Sequence, residues 1–402
     1  MKDSEALKKS ILAACKWLTD VAQIKEQNLP SEQNPRGIEY PNWQGAIRGE
    51  YTAATRAWDT FCPMWHTGQA VKALVMAWEQ FKDAELLEAA ELAGKFLMNN
   101  QVDDPGDKDY GLLVCYEGTP GESNSSAVLE SLDGIFHLYE ATGNEDYKHC
   151  AIKALNWLKN NAYKDKLGHF RDFYYPARRE WDVYDDPEVD WEKGRPLLDD
   201  AIFLKAWKYN GDDSFKNIAL ETAEALLTNE YPAGNWINYA PCVASKQSIH
   251  PRHAYWWGLP MLEVYKETGD ERFFECFKRS VEWYKEALRK DGGFIRSTYV
   301  DFKTSSFNHA TSGSACAVIS FIEYYRQTKD ESILEYIEMG LGYCMKMQLL
   351  DTKDPNLSGV ILEKVLPPNG TDQSPYHIRD LGTIFYIQAA CLYMKVFGGN
   401  LK

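Results

Sequence analysis

The chain has 402 residues, of which 45% are hydrophobic and 26% charged, a composition typical of a globular protein with a substantial core. Its formal net charge of −15, without any Lys/Arg-rich stripe, argues against nucleic acid or an anionic membrane as a partner. No apolar run reaches the length of about 20 residues that spans a bilayer.

The nine cysteines are scattered along the chain and form no CxxC pair. This pattern predicts neither a disulfide framework nor a zinc site, and it fits a reducing compartment. The first segment, MKDSEALKKSILAACKWLTD, is typical of a charged amphipathic helix rather than a signal peptide. We therefore expect a cytoplasmic protein, or a periplasmic one if a signal peptide has been removed. Because HExxH, GxGxxG and P-loop motifs are missing from the sequence, we expect neither a metal nor a cofactor.

A turn signature recurs along the chain, in copies such as ATGNEDY, YNGDDSF and ETGDERF. A glycine in these copies stands where a helix ends in the left-handed conformation, and the following Asp or Asn can cap the next helix. The capping position recurs at intervals of 58 to 68 residues, at Asp83, Asn144, Asp212, Asp270 and Asp330. Such a period indicates a repeated helical hairpin.

In chain order, amphipathic segments alternate with more apolar ones. The amphipathic outer helices are predicted at 5–22, 84–99, 145–161, 213–229, 271–289 and 331–348. The apolar inner helices are predicted at 64–80, 125–141, 197–209, 252–267, 311–327 and 377–396. Six of each predict one all-α domain over residues 1–402, an (α/α)6 toroid or six-hairpin barrel. An open α-solenoid is the alternative, but an outer-type first helix and an inner-type last helix favour closure.

The connections between the helices are strongly asymmetric. Those that lead from an outer to an inner helix are long and rich in Gly, Pro and aromatic residues, whereas the reverse connections are only a few residues. Long structured loops gathered on one face usually serve function. We therefore expect the site at the N-terminal ends of the inner helices, where the helix dipoles favour an anionic or oxygen-rich ligand.

Three carboxylates on predicted inner helices are candidates for acid/base catalysis, because burying a charge is costly without a reason. Asp133 lies 11 residues before its turn marker, and Asp199 and Asp200 lie 13 and 12 residues before theirs. We therefore expect them at similar depth on neighbouring helices, where paired carboxyls can act on a glycosidic bond. Alternatively, Asp199 or Asp200 only caps its helix.

Polar and aromatic residues near the starts of the inner helices are candidates for substrate binding. Indole faces can stack on sugar rings, and five of the eight histidines fall at these positions. A single histidine is more often a core or capping residue, but the clustering favours a shared pocket. The candidates are Trp65, His66, Gln69, Arg252, His253, Trp256, Trp257, His309, Tyr376 and His377.

Three segments between about residues 125 and 395 resemble the unsaturated glucuronyl and rhamnogalacturonyl hydrolases, which are (α/α)6 glycosidases. They are SLDGIFHLYEATGNEDYKHCAIKAL, RHAYWWGLPMLEVYKETGDERFFECFKRSVEWY and ATSGSACAVISFIEYY. At the start of the last segment, His309-Ala310 stand where the family has Asp. The family's acidic motif on the first inner helix is not recognisable in WDTFCPMWHTGQAVKAL, where Asp59 and His66 stand instead. Part of the pattern is shared with N-acylglucosamine 2-epimerases and mannan-cleaving (α/α)6 enzymes.

The resemblance implies a cofactor-free hydrolase of uronic-acid-containing oligosaccharides that hydrates the C4=C5 vinyl ether of an unsaturated uronyl residue. Asp133 would protonate the alkene and deprotonate the attacking water, while Arg252 and the histidines would bind the carboxylate. Three alternatives stay open. A two-carboxylate glycosidase would use Asp133 with Asp199 or Asp200 on a saturated sugar, a sugar 2-epimerase would use His253 and His309, and a toroid without catalytic activity would bind a glycan or a protein.

Overall fold

The computed structural model describes residues 4–182, 194–294, 298–303, 310–365 and 376–398. These residues contain twelve α-helices, which alternate between an outer and an inner ring. The outer helices are α1 (Ser4–Trp17), α3 (Ala84–Asn99), α5 (Glu145–Trp157), α7 (Asp213–Thr228), α9 (Glu271–Ala287) and α11 (Leu334–Lys346). The inner helices are α2 (Pro63–Phe81), α4 (Ser125–Thr142), α6 (Ile202–Asn210), α8 (Met261–Thr268), α10 (Thr311–Thr328) and α12 (Leu381–Phe397).

The repeated turn has the geometry that the sequence predicts. In all five copies the Asp or Asn side chain accepts a hydrogen bond from the backbone amide two residues later, at the start of an outer helix. The glycine before it is left-handed, as at Gly143 with φ of 69°. The first and last copies lack the glycine, and Lys82 and Lys329 adopt the same conformation there. Local capping chemistry therefore fixes the inner-to-outer connections.

The two rings close on themselves. The last inner helix, α12, packs against α2 at the beginning of the chain, and also against α10 and α1. Where the ends of the chain meet, the Ser10 hydroxyl bonds the Tyr386 hydroxyl at 2.5 Å and Gln348 Oε1 at 2.6 Å. The predicted (α/α)6 barrel is confirmed, and the open solenoid is wrong. No helix in the described parts of the chain has both the length and the apolarity to cross a bilayer.

Short antiparallel strands occupy the long connections, and the sequence analysis did not predict them. Four of them form one sheet in the order β10–β11–β1–β2. The strands are β1 (Gly49–Thr52), β2 (Ala57–Thr60), β3 (Ser123–Asn124), β4 (Tyr163–Lys164), β5 (His169–Phe170), β6 (Phe173–Tyr175), β7 (Glu180–Trp181), β8 (Ser248–Ile249), β9 (Thr298–Tyr299), β10 (Lys364–Val365) and β11 (Tyr376–Arg379). The sheets join the long connections to one another at one end of the barrel.

Three inner helices begin later than predicted, each for a local reason. Before α6, Asp200 and Ala201 adopt left-handed φ values of 50° and 51°, which interrupt the helix. Before α8, the chain makes a wide helical turn at Ala254–Gly258, and the regular helix starts only after Pro260, which has no amide proton to donate. Before α12, residues 376–379 pair with β1 as a strand. These irregular starts lie at the end of the barrel where the sequence predicts the site.

Candidate active site

A cavity of about 240 Å³ lies where the N-terminal ends of the inner helices meet the long connections. Its wall combines acids, arginines and aromatic rings. The chemically functional side chains in the wall are Trp65, Glu117, Glu130, Asp172, Arg195, His250, Arg252, Trp256 and Arg379. Both charge signs and flat apolar faces therefore meet in one small space.

The first turns of α2 and α4 direct side chains into this cavity. Helix α2 follows Cys62, whose left-handed φ of 48° bends the chain, and Pro63 occupies the first helical position. Trp65 thereby reaches the cavity on the first turn. Helix α4 is capped by Asn124, whose side chain accepts from the amides of Ser126 and Ala127 at 2.9 and 3.1 Å. Glu130 follows on the second turn of the capped helix.

Glu130 is an acid of the cavity wall whose pKa lies well above its ordinary value. Burial is the main cause, the neighbouring Asp199 raises the pKa further, and Arg252 opposes both. Asp199 is buried beside Glu130, behind the wall, and burial raises its pKa to about 7. Neighbouring carboxyls with raised pKa values hold a proton to higher pH than ordinary carboxyls do, which is the property that a general acid needs.

Two further acids in the wall differ from each other. Burial raises the pKa of Glu117, which Arg195 opposes. Asp172 instead pairs with Arg195, whose Nη2 lies 2.6 Å from its Oδ1. The same guanidinium also donates to the Ser126 hydroxyl at 3.0 Å and to the Ala240 carbonyl at 3.1 Å. Arg195 and Asp172 therefore form a fixed, internally neutral part of the wall.

Arg252 is the arginine of the wall whose charge is left uncompensated. Arg195 pairs with Asp172 and Arg379 with Glu50, but Arg252 has no carboxylate within ion-pair distance among the described residues. Its Nη1 is buried and has no hydrogen-bond partner in the parts of the chain that the structure describes. The guanidinium carbon lies 5.3 Å from the ring centroid of Trp65 and 4.8 Å from that of Trp256. The two ring centroids are 6.4 Å apart, so both indoles lie next to the guanidinium and to each other. A buried cation beside indoles is suited to an anionic ligand with an apolar face.

Three of the predicted binding residues, Trp65, Arg252 and Trp256, lie in the cavity wall. His66 lies behind the wall and is fully buried, with its Nδ1 2.6 Å from Asp380 Oδ1. Gln69 is deeper in the barrel, where its side chain donates to the Glu130 carbonyl at 2.8 Å. These five predicted residues therefore lie in one region. Only Trp65, Arg252 and Trp256 can touch a ligand in the cavity.

His253 and Trp257 form a supporting layer behind the wall. The His253 Nδ1 lies 3.1 Å from the Trp236 carbonyl, and its Nε2 lies 3.2 Å from the Ala240 carbonyl. Its ring stacks on Trp257 with centroids 4.4 Å apart. Burial and the nearby Arg195 lower the pKa of His253 to about 3, so the ring is neutral at physiological pH. The neutral ring can donate from one nitrogen to a carbonyl and, at Nδ1, accept from the Cys242 thiol 3.2 Å away. The predicted binding role of His253 has no support in this placement, because both nitrogens face groups of the protein.

The prediction that Asp133 and Asp200 line the same cavity as Trp65 and Arg252 is wrong. They line a separate cavity of about 450 Å³, together with Lys72 and His137. On α2 the wall of the first cavity includes Trp65 and that of the second includes Lys72; on α4 the corresponding residues are Glu130 and Asp133. The second cavity therefore lies toward the C-terminal ends of the inner helices.

The charge of Asp133 is already neutralised in the protein. Its Oδ2 lies 2.7 Å from Lys72 Nζ, and its Oδ1 pairs with Lys205. Burial alone would raise its pKa, but Lys205 and Lys72 outweigh burial and hold the pKa well below the ordinary value. Two lysines thus hold Asp133 as a carboxylate, the opposite of the raised pKa that a general acid needs. Asp199 is the one predicted carboxylate that lies beside the first cavity, and its position precedes the start of α6.

The remaining predicted binding residues are His309, Tyr376 and His377. His309 lies outside the described residues. Tyr376 and His377 belong to β11, where their backbones pair with Val365 and Lys364. They therefore lie in a strand next to α12 rather than on its first turn.

The sequence analysis missed the acids and two of the arginines of the wall. Glu130 lies three residues before Asp133 on the same helix, about one turn nearer the N-terminal end. This position was the sequence feature that could have identified it. Glu117, Asp172 and Arg195 lie in connections, and no periodic pattern places a loop residue in a pocket. Among the described residues, no group of three or more His, Cys, Asp or Glu side chains could hold a metal ion.

Solved structures with the same architecture cover essentially the whole chain. An unsaturated glucuronyl hydrolase specific for heparin is 16% identical, with a TM-score of 0.71 and 100% of both chains covered. An unsaturated glucuronyl hydrolase from a Bacillus species is also 16% identical, with a TM-score of 0.67 over 98% of this chain and 97% of that chain. The chain therefore shares their fold.

Isomerising enzymes are similar to nearly the same degree. A D-mannose isomerase is 11% identical with a TM-score of 0.69, over 98% of each chain. A cellobiose 2-epimerase from Spirochaeta thermophila is 13% identical with a TM-score of 0.66, over 99% of each chain. No protein-family model and no curated protein matches the sequence. The likeness establishes the (α/α)6 fold, and the residues of the cavity have to distinguish between the chemistries.

Proposed function

We propose that the protein is a carbohydrate-processing enzyme, a glycoside hydrolase that acts on uronic-acid-containing oligosaccharides in the cavity at the N-terminal ends of the inner helices. The observation on which this rests is that one wall combines Arg252, which has no ion-pair partner among the described residues, with Glu130, an acid of raised pKa. Solved structures of the same fold include unsaturated glucuronyl hydrolases, which supports the choice of substrate class.

Arg252 is proposed to bind the carboxylate of the uronyl residue. Its unpartnered Nη1 can donate to a carboxylate oxygen and remove the cost of a buried unpaired cation. Trp65 and Trp256 lie beside the guanidinium in the same wall and provide apolar surface for the sugar ring. A neutral sugar would leave the Arg252 charge unsatisfied, so the pocket should discriminate in favour of acidic sugars.

Glu130 is proposed as the general acid/base in place of Asp133. On an unsaturated substrate it would donate its proton to C4 of the alkene and then accept a proton from the water that attacks C5. The hemiketal formed in this way opens and releases the rest of the oligosaccharide, so the net reaction consumes one water. Burial, and after it the proximity of Asp199, raise the pKa of Glu130. On a saturated substrate the same acid would need a second carboxyl, for which Asp199 beside it and Glu117 in the same wall are candidates.

Turnover of unsaturated uronyl disaccharides tests the proposal. The purified protein is incubated with a panel that differs in the sugar at the reducing end, and loss of the alkene absorbance is followed. The expected result is loss of the absorbance with release of a free sugar. A parallel panel of saturated uronyl disaccharides, assayed for the released sugar, identifies an ordinary glycosidase. Release from neutral disaccharides alone would contradict the assignment of Arg252.

A sugar 2-epimerase is the second candidate, and the His66–Asp380 pair favours it. The two side chains are buried and 2.6 Å apart, and no described residue is a hydrogen-bond partner of the His66 Nε2. A histidine oriented by a carboxylate is suited to moving a proton at carbon. Incorporation of solvent deuterium at C2 of a reducing sugar, in a protein that leaves uronyl disaccharides intact, would assign the protein to this class.

A further inference from the structure

Charged side chains form a network below the candidate active site, in the cavity at the C-terminal ends of the inner helices. Lys72 on α2 is its centre, with Nζ 2.7 Å from Asp133 Oδ2 and 2.8 Å from Asp200 Oδ1. Lys205 on α6 pairs with the other oxygen of Asp133. The network therefore links α2, α4 and the start of α6, although no part of the proposed reaction uses it.

The backbone at Asp200 is in a conformation that residues with a Cβ rarely adopt. Asp200 has φ 50° and ψ 15°, and Ala201 has φ 51° and ψ 36°. Two successive non-glycine residues in this region persist only where surrounding contacts hold them. This left-handed turn directly follows Asp199. It separates the two acids. Asp199 lies beside Glu130 at the first cavity, called the upper cavity from here on, while Asp200 lines the second, or lower, cavity.

Few side-chain contacts are available to hold the turn. In the described parts of the chain, Asp200 accepts from Lys72 at 2.8 Å and from Gln69 at 3.5 Å, the second of which is at the limit of a hydrogen bond. Lys72 is 13% exposed, so its ion pair is little screened by solvent. The Lys72–Asp200 pair is therefore the main side-chain anchor of the turn.

We infer that Lys72 is a positioning residue, which through its ion pair with Asp200 holds the left-handed turn that keeps the Asp199 carboxyl beside Glu130. The inference rests on the proposed role of Glu130. Lys72 does not line the upper cavity, so its effect on the reaction is indirect, and its ion pair with Asp200 is the route that leads to Asp199.

The charges in the network are consistent with a permanent anchor. Burial alone would lower the pKa of Lys72, but Asp133 and Asp200 outweigh burial and raise it well above its ordinary value. Lys72 therefore stays charged over the whole range in which carboxyls titrate. The ionisable groups that face Asp199 are Glu130 on α4, Arg195 in the preceding connection and Asp200 on the turn itself.

Crystal structures of Lys72→Ala and Lys205→Ala test the inference without a substrate. Lys72→Ala removes the anchor of Asp200 while Lys205 still neutralises Asp133, so the barrel should fold. Lys205→Ala is the matched control, because it removes a lysine from the same network and leaves the Lys72–Asp200 pair. We expect residues 200–201 to leave the left-handed region, and Asp199 to move away from Glu130, in Lys72→Ala only. If Asp199 stays in place in Lys72→Ala, the inference is wrong. Lys72→Gln replaces Lys72→Ala if the latter does not fold.

Kinetics on an unsaturated uronyl disaccharide give a second readout. We expect Lys72→Ala to lower kcat about 10²-fold with KM nearly unchanged, because the acid is misplaced while the binding residues are not. Propylammonium chloride supplies the deleted atoms and should restore kcat, whereas sodium chloride at the same concentration should not. Unchanged kcat in Lys72→Ala, or a loss that propylammonium does not restore, contradicts the inference. If the wild-type protein has no turnover, the proposed function fails and the crystal structures alone decide.

Discussion

Three acids on α4 have three different environments, although they share one helix. Glu130 lies beside another buried carboxyl, Asp133 lies between two lysines, and Glu140 accepts a hydrogen bond from the Tyr209 hydroxyl near the end of the helix. The first environment raises the pKa of the acid, and the second lowers it. The chemistry available to each acid therefore depends on its neighbours and not on its residue type.

Replacing Glu130 with Gln tests its role as the general acid/base. The amide is nearly the same size as the carboxyl, so we expect the fold to persist while kcat on a turned-over uronyl substrate falls by about 10²–10⁴-fold. Glu140→Gln is the matched control on the same helix and should keep near wild-type kcat. Steady-state kinetics and melting curves of both variants provide the measurement. A Glu130→Gln enzyme with normal kcat would show that Glu130 is not the general acid/base.

The pH dependence of kcat/KM should reflect the proximity of Asp199. The negative charge of Asp199 raises the pKa of Glu130, so the neutral Asn in Asp199→Asn should lower that pKa. The acid then loses its proton at lower pH, and the alkaline limb of the profile should move to lower pH. Asp213→Asn, on the outer helix α7, serves as the control. A limb that stays in place, or moves to higher pH, would show that Asp199 does not act on the group that titrates.

The sequence could identify Arg252, Trp65 and Trp256 because each lies near the predicted start of an inner helix. Asp133 and Asp200 lie at one level and share Lys72, as their similar distances from the turns predict. That level is below the floor of the upper cavity. Counting residues from a turn gives the relative depth of two side chains, but it does not reveal where a cavity ends.

At the scale of the helices, local chemistry explains which boundaries were predictable. The outer helices begin at capping residues that the sequence reveals, and the inner-to-outer turns follow from them. The starts of α6, α8 and α12 depend on contacts between distant segments, such as the pairing of β11 with β1. Such contacts leave no periodic signal in the sequence. The least predictable part of the fold is therefore the part that surrounds the upper cavity.

The contact between α2 and α4 depends on glycine. A Cβ on Gly134 would lie 2.0 Å from the Gly68 carbonyl oxygen, which is backbone and cannot move aside. We expect Gly134→Ala to destabilise the protein by about 1–3 kcal/mol, despite the better helix propensity of alanine. Gly342→Ala on α11 is the control, since its Cβ would meet no atom within 4 Å. Melting temperatures should fall for the first variant and stay equal or rise for the second. Equal behaviour would contradict the close packing of α2 on α4.

At the scale of the whole molecule, a sixfold device joins each long connection to the next outer helix. One left-handed glycine in each connection packs so closely that a Cβ would lie 2.1 to 2.5 Å from a backbone carbonyl oxygen of that helix. The glycines are Gly45, Gly111, Gly168, Gly234, Gly292 and Gly359. The last of them packs on Ala13 of α1, so the device closes the ring. The sequence analysis recognised the turn repeat but not this second one, because its partners are consecutive outer helices.

Gly359→Ala tests closure of the barrel. The new Cβ would lie 2.3 Å from the Ala13 carbonyl oxygen, at a φ of 97°. Gly143→Ala is the matched control, because its φ of 69° is also left-handed but nothing lies within 4 Å. The control should lose only the backbone cost of about 1–2 kcal/mol, and Gly359→Ala should lose clearly more in thermal unfolding. Equal losses would mean that the contact with α1 does not contribute to stability.

The central claim is that the upper cavity, and not the lower one, processes acidic sugars. The most direct measurement is a crystal structure of Glu130→Gln soaked with an unsaturated uronyl disaccharide. We predict that the uronyl carboxylate contacts Arg252 Nη1, that its ring packs on Trp65 or Trp256, and that residue 130 is the side chain nearest to the alkene. A disaccharide bound in the lower cavity beside Lys72 and Asp133 would contradict the claim. So would an upper cavity that stays empty with the uronyl disaccharide and fills with a neutral one.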